Sequence, residues 1–138
     1  MSNVESPERN SRVWIAAGAA IAGVTIVLAA LRDHLLRDWL TIPETRSFDL
    51  ALQYQFYHSL GLILCGITGR VLSSRFMGVV GFLFLLGIVA FSGGLYLRIA
   101  VPNMRIGWII PLGAISWVIG WVLLAFSSLI VKRDTTSS

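Results

Sequence analysis

The chain has 138 residues and a formal net charge of +4, with 56% hydrophobic side chains and 13% charged ones; its mean hydropathy is +0.77. Soluble domains carry about a quarter charged residues, so this composition excludes an ordinary water-soluble globule and points to lipid as the solvent. The basic residues stand in ones and twos beside apolar stretches rather than on one face, which argues against a nucleic-acid binder. The single cysteine, Cys65, excludes a disulfide framework within the chain.

Four stretches almost free of charge, about residues 13–33, 48–69, 76–99 and 107–131, are each long enough to span hydrocarbon as a helix. They predict one integral membrane domain, an all-α, four-span, up-down transmembrane bundle. Residues 1–11 are polar and mixed in charge, and read as a short tail. The apolar stretch that follows is too long for a cleaved signal, and Glu5 and Glu8 spoil the basic start such a signal needs. In the first span Ala16, Ala20, Gly23, Val27, Ala30 and His34 share one helical face. Small residues let backbones approach closely in lipid, so this face is expected against helix 2. Gly18, Ala22 and Thr25 lie on the other side and permit a dimer.

The longest connection runs from Arg32 to Ser47. Within it Thr41 and Glu44 have the spacing of a capping box, with Pro43 in the first turn, so helix 2 is expected to begin near Ile42. On helix 2, Tyr54, His58, Gly61, Cys65 and Gly69 fall on one face, expected to meet the small-residue faces of helices 1 and 3. The six residues from Arg70 to Arg75 force antiparallel neighbours. Helix 3 places Gly78, Gly81, Leu85, Ile88, Ser92 and Tyr96 together. Its Gly93-Gly94 pair predicts a bend or close backbone contact, because glycine weakens a helix by about 1 kcal/mol. Pro102-Asn103 ends it. Helix 4 opens around Gly107-Trp108, meets Pro111 early, and carries a stripe of Gly113, Trp117, Gly120 and Leu124.

Antiparallel order gathers most intramembrane polar groups at one end: His34, Gln53, Tyr54, Tyr57, His58, Ser92, Tyr96 and Arg98. Polar groups at membrane depth must pair or reach water, so the cluster is either a set of register-fixing bonds or a pocket. His58 reads as a satisfied interhelical histidine. No Cys or second His stands one turn away to complete a metal site, and the depth difference between His34 and His58 disfavours a haem clamped between them. No cofactor is expected; haem or quinone is a matter for the visible spectrum. Asp33 or Asp49 is expected to pair with Arg98. There is no nucleophile elbow, phosphate loop or paired-carboxylate arrangement. The expectation is a non-enzymatic protein that binds or stabilises another membrane component. The rival is a small transporter or membrane enzyme using the polar cluster on a lipophilic or small ionic ligand. Expected partners are the bilayer itself and a membrane protein or a second copy. Basic residues beside the spans number six on the side of both termini and five on the other, a bias toward cytoplasmic termini that grows if Arg32 and Arg98 serve the bundle.

Three segments then stand out together: Ala51-Leu52-Gln53-Tyr54-Gln55-Phe56-Tyr57-His58-Ser59-Leu60, Phe91-Ser92-Gly93-Gly94-Leu95-Tyr96, and Pro111-Leu112-Gly113-Ala114 followed by Gly120-Trp121. In order and spacing they resemble the YgdD-type small membrane proteins of bacteria, the domain of unknown function 423 family, across roughly Val13 to Leu129. The resemblance implies a four-span inner-membrane protein and no assigned activity. One departure concerns the end of helix 1, where the family usually has Gly-Ala-Phe-Gly-Ala-His. Here Ala29-Ala30-Leu31-Arg32-Asp33-His34 keeps the histidine and replaces two small residues with a charged pair, so either helix 1 packs less closely there or the pair has partners of its own.

Overall fold

The computed structural model describes residues 5–72 and 74–130. Helix α1 (Glu5–Leu31) continues through a π-helical turn, Arg32–Leu36. Helix α2 covers Ile42–Thr68; α3 (Ser74–Gly87) runs through a second π turn, Ile88–Gly93, into α4 (Gly94–Ala100); α5 covers Ile109–Ile130. The polar tail predicted for residues 1–11 is therefore corrected from residue 5 onward, because the helix extends there and buries Ser11 to 2% exposure. The expected end of the last span, Val131, and the basic pair Lys132-Arg133 lie outside the described residues.

The local signals act as written. The Thr41 backbone N–H donates to the Glu44 carboxylate at 2.8 Å and its hydroxyl donates to the same oxygen at 2.7 Å, closing the start of α2. Short turns then fold the rods back on one another. Gly66 of α2 lies on Ser11 and Ile15 of α1, and Gly18 of α1 on Ser59. Phe84 of α3 lies on Gly61, and Ser92 and Phe91 lie level with Ala51 and Tyr54. Leu83, Phe84 and Phe91 meet Ser116, Trp117 and Gly113 of α5. Each successive rod is antiparallel to the last, which is the up-down bundle.

Three of the four rods are long and apolar enough to cross a membrane: Arg9–Leu36, Arg75–Ala100 and Ile109–Ser127. The α2 rod has 27 residues, about 40 Å of helix, but its first half is too polar to qualify by composition. Packing explains how it is accommodated. It is the central rod, touching α1 on one side and α3, the second π turn and α4 on the other. Its Gln55, His58 and Ser59 are turned into the bundle.

The faces differ from those expected for α1 and for one glycine of α3. Ala16, Ala20 and Gly23 are exposed, and a Cβ on Gly23 would meet nothing within 4 Å. The docked face is Ser11, Ile15, Gly18 and Thr25: a Cβ on Gly18 would sit 2.5 Å from the Ser59 carbonyl oxygen, and one on Gly66 would sit 2.6 Å from that of Ser11. Both faces of α1 are small, so periodicity alone does not choose. Hydrogen bonding chooses, because Thr25 on this face receives Gln55. Accordingly α1 takes the Gln55–Ser59–Gly66 side of α2, while the Tyr54-to-Gly69 side meets α3 and α5. Gly78 is likewise open, and the close approach of α3 to α1 is made by Gly81, whose Cβ would fall 2.7 Å from the Trp14 ring. Gly61, Gly69, Gly113 and Gly120 stand at contacts, with Phe84, Met77, the Phe91 backbone and Phe84 again as neighbours. Cys65 is fully buried in the core with Leu62, Met77, Val80, Phe84 and Trp117.

Candidate functional site

At the centre, α2 and α5 meet through His58. Its Nδ1 lies 2.8 Å from the Tyr54 carbonyl oxygen, one helical turn back, and its Nε2 accepts from the Trp121 indole N–H at 3.2 Å. A carbonyl only accepts, so Nδ1 carries the proton and the ring is a neutral imidazole with both nitrogens engaged. The imidazole also stacks on Trp117 with centroids 3.8 Å apart and planes 4° off parallel, and Tyr54 stacks on the same indole at 5.5 Å. Trp117 is itself fixed, since its N–H donates to the Phe84 carbonyl at 3.1 Å. That carbonyl belongs to α3, so one indole joins three rods.

Outside this floor, α2 and α5 diverge and leave a groove of about 580 Å³ lined by Tyr54, Tyr57, His58, Trp117, Val118 and Trp121. The groove is mostly aromatic and opens on the outside of the bundle. Tyr57 is half exposed and its hydroxyl accepts from Gln53 at 2.9 Å. Among the described residues no three His, Cys, Asp or Glu side chains gather as metal ligands.

The structure brings Tyr54, Tyr57 and His58 together and separates the other members of the predicted cluster. Ser92 is buried and donates to the Ala51 carbonyl at 2.9 Å, tying the second π turn to α2. Tyr96 packs its ring on Phe48 with centroids 4.9 Å apart, on the side away from α5. His34 lies exposed in the first π turn, where no residue is buried, and does not converge with His58. Gln53 stays on the surface. The expected pairing of Arg98 with Asp33 or Asp49 is corrected: Arg32 engages both carboxylates, joining the end of α1 to α2. Arg98 is exposed near Glu44 and Ser47. The charged pair that departs from the family's usual run thus supplies its own bridge. Glu44, at the capping box and outside the apolar spans, is held below the usual carboxylate range by the two hydrogen bonds from Thr41.

Three participants were not in the predicted cluster. Trp117 and Trp121 stand one helical turn apart, a spacing that signals a shared face but not a histidine 63 positions away. Gln55 lies off the Tyr54–His58 face; it is buried and donates to Thr25 Oγ1 at 2.8 Å, and Thr25 donates to the Ile21 carbonyl.

Long apolar rods around a polar-cored central helix define a small all-helical membrane protein, and the comparisons with known proteins agree. The family described as a protein of unknown function (DUF423) matches residues 28–114. A UPF0382 membrane protein of Staphylococcus saprophyticus is 35% identical over 117 residues, 85% of this chain and 97% of that protein. The UPF0382 membrane protein YwdK of Bacillus subtilis is 30% identical over 118 residues, 85% and 96% of the two chains. The UPF0382 inner membrane protein YgdD of Escherichia coli is 32% identical over 122 residues, 86% and 92%. The chain belongs to this DUF423 family of small membrane proteins. No solved structure matches it.

Proposed function

We propose that this protein is a non-catalytic component of the bacterial inner membrane that holds another membrane-embedded molecule against its exposed helix faces, chiefly in the groove between α2 and α5. The observation that carries the reading is the closed state of His58. Its ring nitrogens are both committed inside the protein, so the one histidine at the floor of the groove serves as a fixed wall rather than as a base or ligand. A second support is the bareness of α1: 11% of its apolar window is buried inside the bundle, against 44% for the α3–α4 rod. In this reading α2 crosses the bilayer with the other rods, its Gln55, His58 and Ser59 turned inward. Both termini face the cytoplasm, with Arg9, Arg12, Arg70, Arg75, Lys132 and Arg133 on that side. Once Arg32 is committed to its carboxylates, four basic residues face them across the membrane: Arg37, Arg46, Arg98 and Arg105.

Benzoylphenylalanine placed at Val118, irradiated in native membranes, tests the reading. A single saturable crosslinked species from position 118, competed by overproduced unlabelled protein, supports it. Adducts no more defined than those from Leu129 on the same rod contradict it. The transporter or enzyme alternative is separated by His58→Ala: loss of a ligand-dependent signal with the bundle intact would favour a chemical role, and loss of the bundle a structural one.

A further inference from the structure

At one end of the bundle two opposite charges share a pocket without meeting. The pocket, of about 300 Å³, lies between the start of α2 and the end of α4, with Glu44 and Ser47 on one wall and Leu95, Arg98 and Ile99 on the other. Small-molecule sites begin at about that volume. Among the described residues Arg98 has no ion-pair or hydrogen-bond partner, while Arg32 takes both Asp33 and Asp49. Arg98 is exposed, so its five N–H donors are open to an occupant. The facing wall offers acceptors. Both bonds from Thr41 end on Glu44 Oε2, and none from the described residues reaches Oε1. The Ser47 hydroxyl gives its proton to the Pro43 carbonyl at 3.0 Å, so its oxygen can only accept toward the pocket.

Charge complementarity therefore asks for a zwitterion: an anion suited to a guanidinium fork, phosphate or carboxylate, joined to a cation that carries N–H donors. Depth narrows the choice. Arg98 stands two residues before the end of α4 at Ala100 and Glu44 two residues after the start of α2 at Ile42, each about 3 Å inside its rod's end, at the level of the polar layer that flanks the hydrocarbon. Leu95, three residues deeper than Arg98, is apolar. The pocket thus turns from charged to apolar on going inward, in the order in which a phospholipid turns from headgroup to chain. We propose that this pocket is a phosphatidylethanolamine site: the phosphate lies on the Arg98 guanidinium, the primary ammonium donates to Glu44 and Ser47, and the glycerol end leaves over Leu95. This inference rests on the membrane reading above but not on the α2–α5 groove.

The test reconstitutes the whole protein in vesicles of palmitoyl-oleoyl phosphatidylglycerol mixed with the matching ethanolamine or choline lipid, extracts it in mild detergent and counts retained lipids by native mass spectrometry. Wild type is expected to keep one ethanolamine lipid and roughly tenfold less of the choline lipid, which has the same charges and no N–H, the factor that loss of a hydrogen bond to a charged group brings. Arg98→Gln should keep roughly tenfold less ethanolamine lipid for the same reason, and Glu44→Gln should bring its retention down to the choline level. Equal retention of the two lipids by wild type, or of the ethanolamine lipid by wild type and Arg98→Gln, would overturn the proposal and leave the two charges to water. Excess soluble glycerophosphoethanolamine should leave the lipid in place; displacement would overturn the assignment to a bilayer lipid. The choline arm uses unaltered protein, so the test stands even if a variant folds poorly. Crosslinking from Val118 should be unaffected by Arg98→Gln, which separates failure of this site from failure of the groove.

Discussion

Two sets of glycines in the bundle behave in opposite ways. At the seams, a Cβ on Gly87 would sit 2.1 Å from the Trp117 indole nitrogen, and one on Gly113 would sit 2.6 Å from the Phe91 backbone nitrogen. On the outside, Gly23 and Gly78 would meet nothing within 4 Å. Both sets look alike in the sequence, small residues recurring at helical spacing. The difference is what stands opposite: an indole held by its own hydrogen bond or another helix's backbone on one side, and lipid on the other. A small residue permits close approach, and the partner decides whether it happens.

The largest expected effect is therefore at the α3–α5 seam. Gly87→Ala and Gly113→Ala should each destabilise the bundle by about 3 kcal/mol, because neither a pinned indole nor a helix backbone yields cheaply; unfolding in mixed detergent micelles measures this. His58→Ala comes next at about 2 kcal/mol, since it orphans the Trp121 N–H and removes the ring stacked on Trp117. The Gln55–Thr25 bond is smaller: a double-mutant cycle with Gln55→Leu and Thr25→Val should return about 0.6 kcal/mol of coupling. Acid should loosen the start of α2. The depressed Glu44 group stabilises the cap above its unfolded pKa and loses that contribution as pH falls through the lower folded one. Protection factors for amide exchange at residues 42–46, taken against the intrinsic rate at each pH, should therefore fall in acid, and Glu44→Gln should be weakly protected at neutral pH with little further change. Smallest of all, Gly23→Ala and Gly78→Ala should stay within about 0.5 kcal/mol of wild type. A large loss at either would mean that the outer face is docked after all.

Much of the fold is legible from local chemistry. Charge-free stretches of spanning length, the Thr41–Glu44 capping box and Pro102 mark where rods begin and end, and the turn at Arg70 sets their antiparallel order. The Gly93-Gly94 pair marks the end of the π turn Ile88–Gly93, where α-helical geometry resumes. Facing is less legible. Nothing in the α1 stretch states that Gly18 rather than Gly23 is covered, because that depends on Thr25 finding Gln55 thirty positions on. The candidate site was half visible for the same reason. Tyr54 and His58 are one turn apart and declare each other, whereas Trp121 and Arg32 act through partners on other rods. Arg32 in particular stands beside Asp33 just past the end of α1, and only the fold brings Asp49 to it.

The central claim is that α2 crosses the bilayer although its own composition is too polar to require it, because three apolar rods shelter its inward-facing side. Its two ends can be examined directly. With Cys65→Ala as background, single cysteines at Ser47 and Arg70 are labelled in intact cells with a membrane-impermeant thiol reagent. Labelling is expected at Ser47→Cys from outside and at Arg70→Cys only after the membrane is opened. Labelling of both positions from the same side would contradict it.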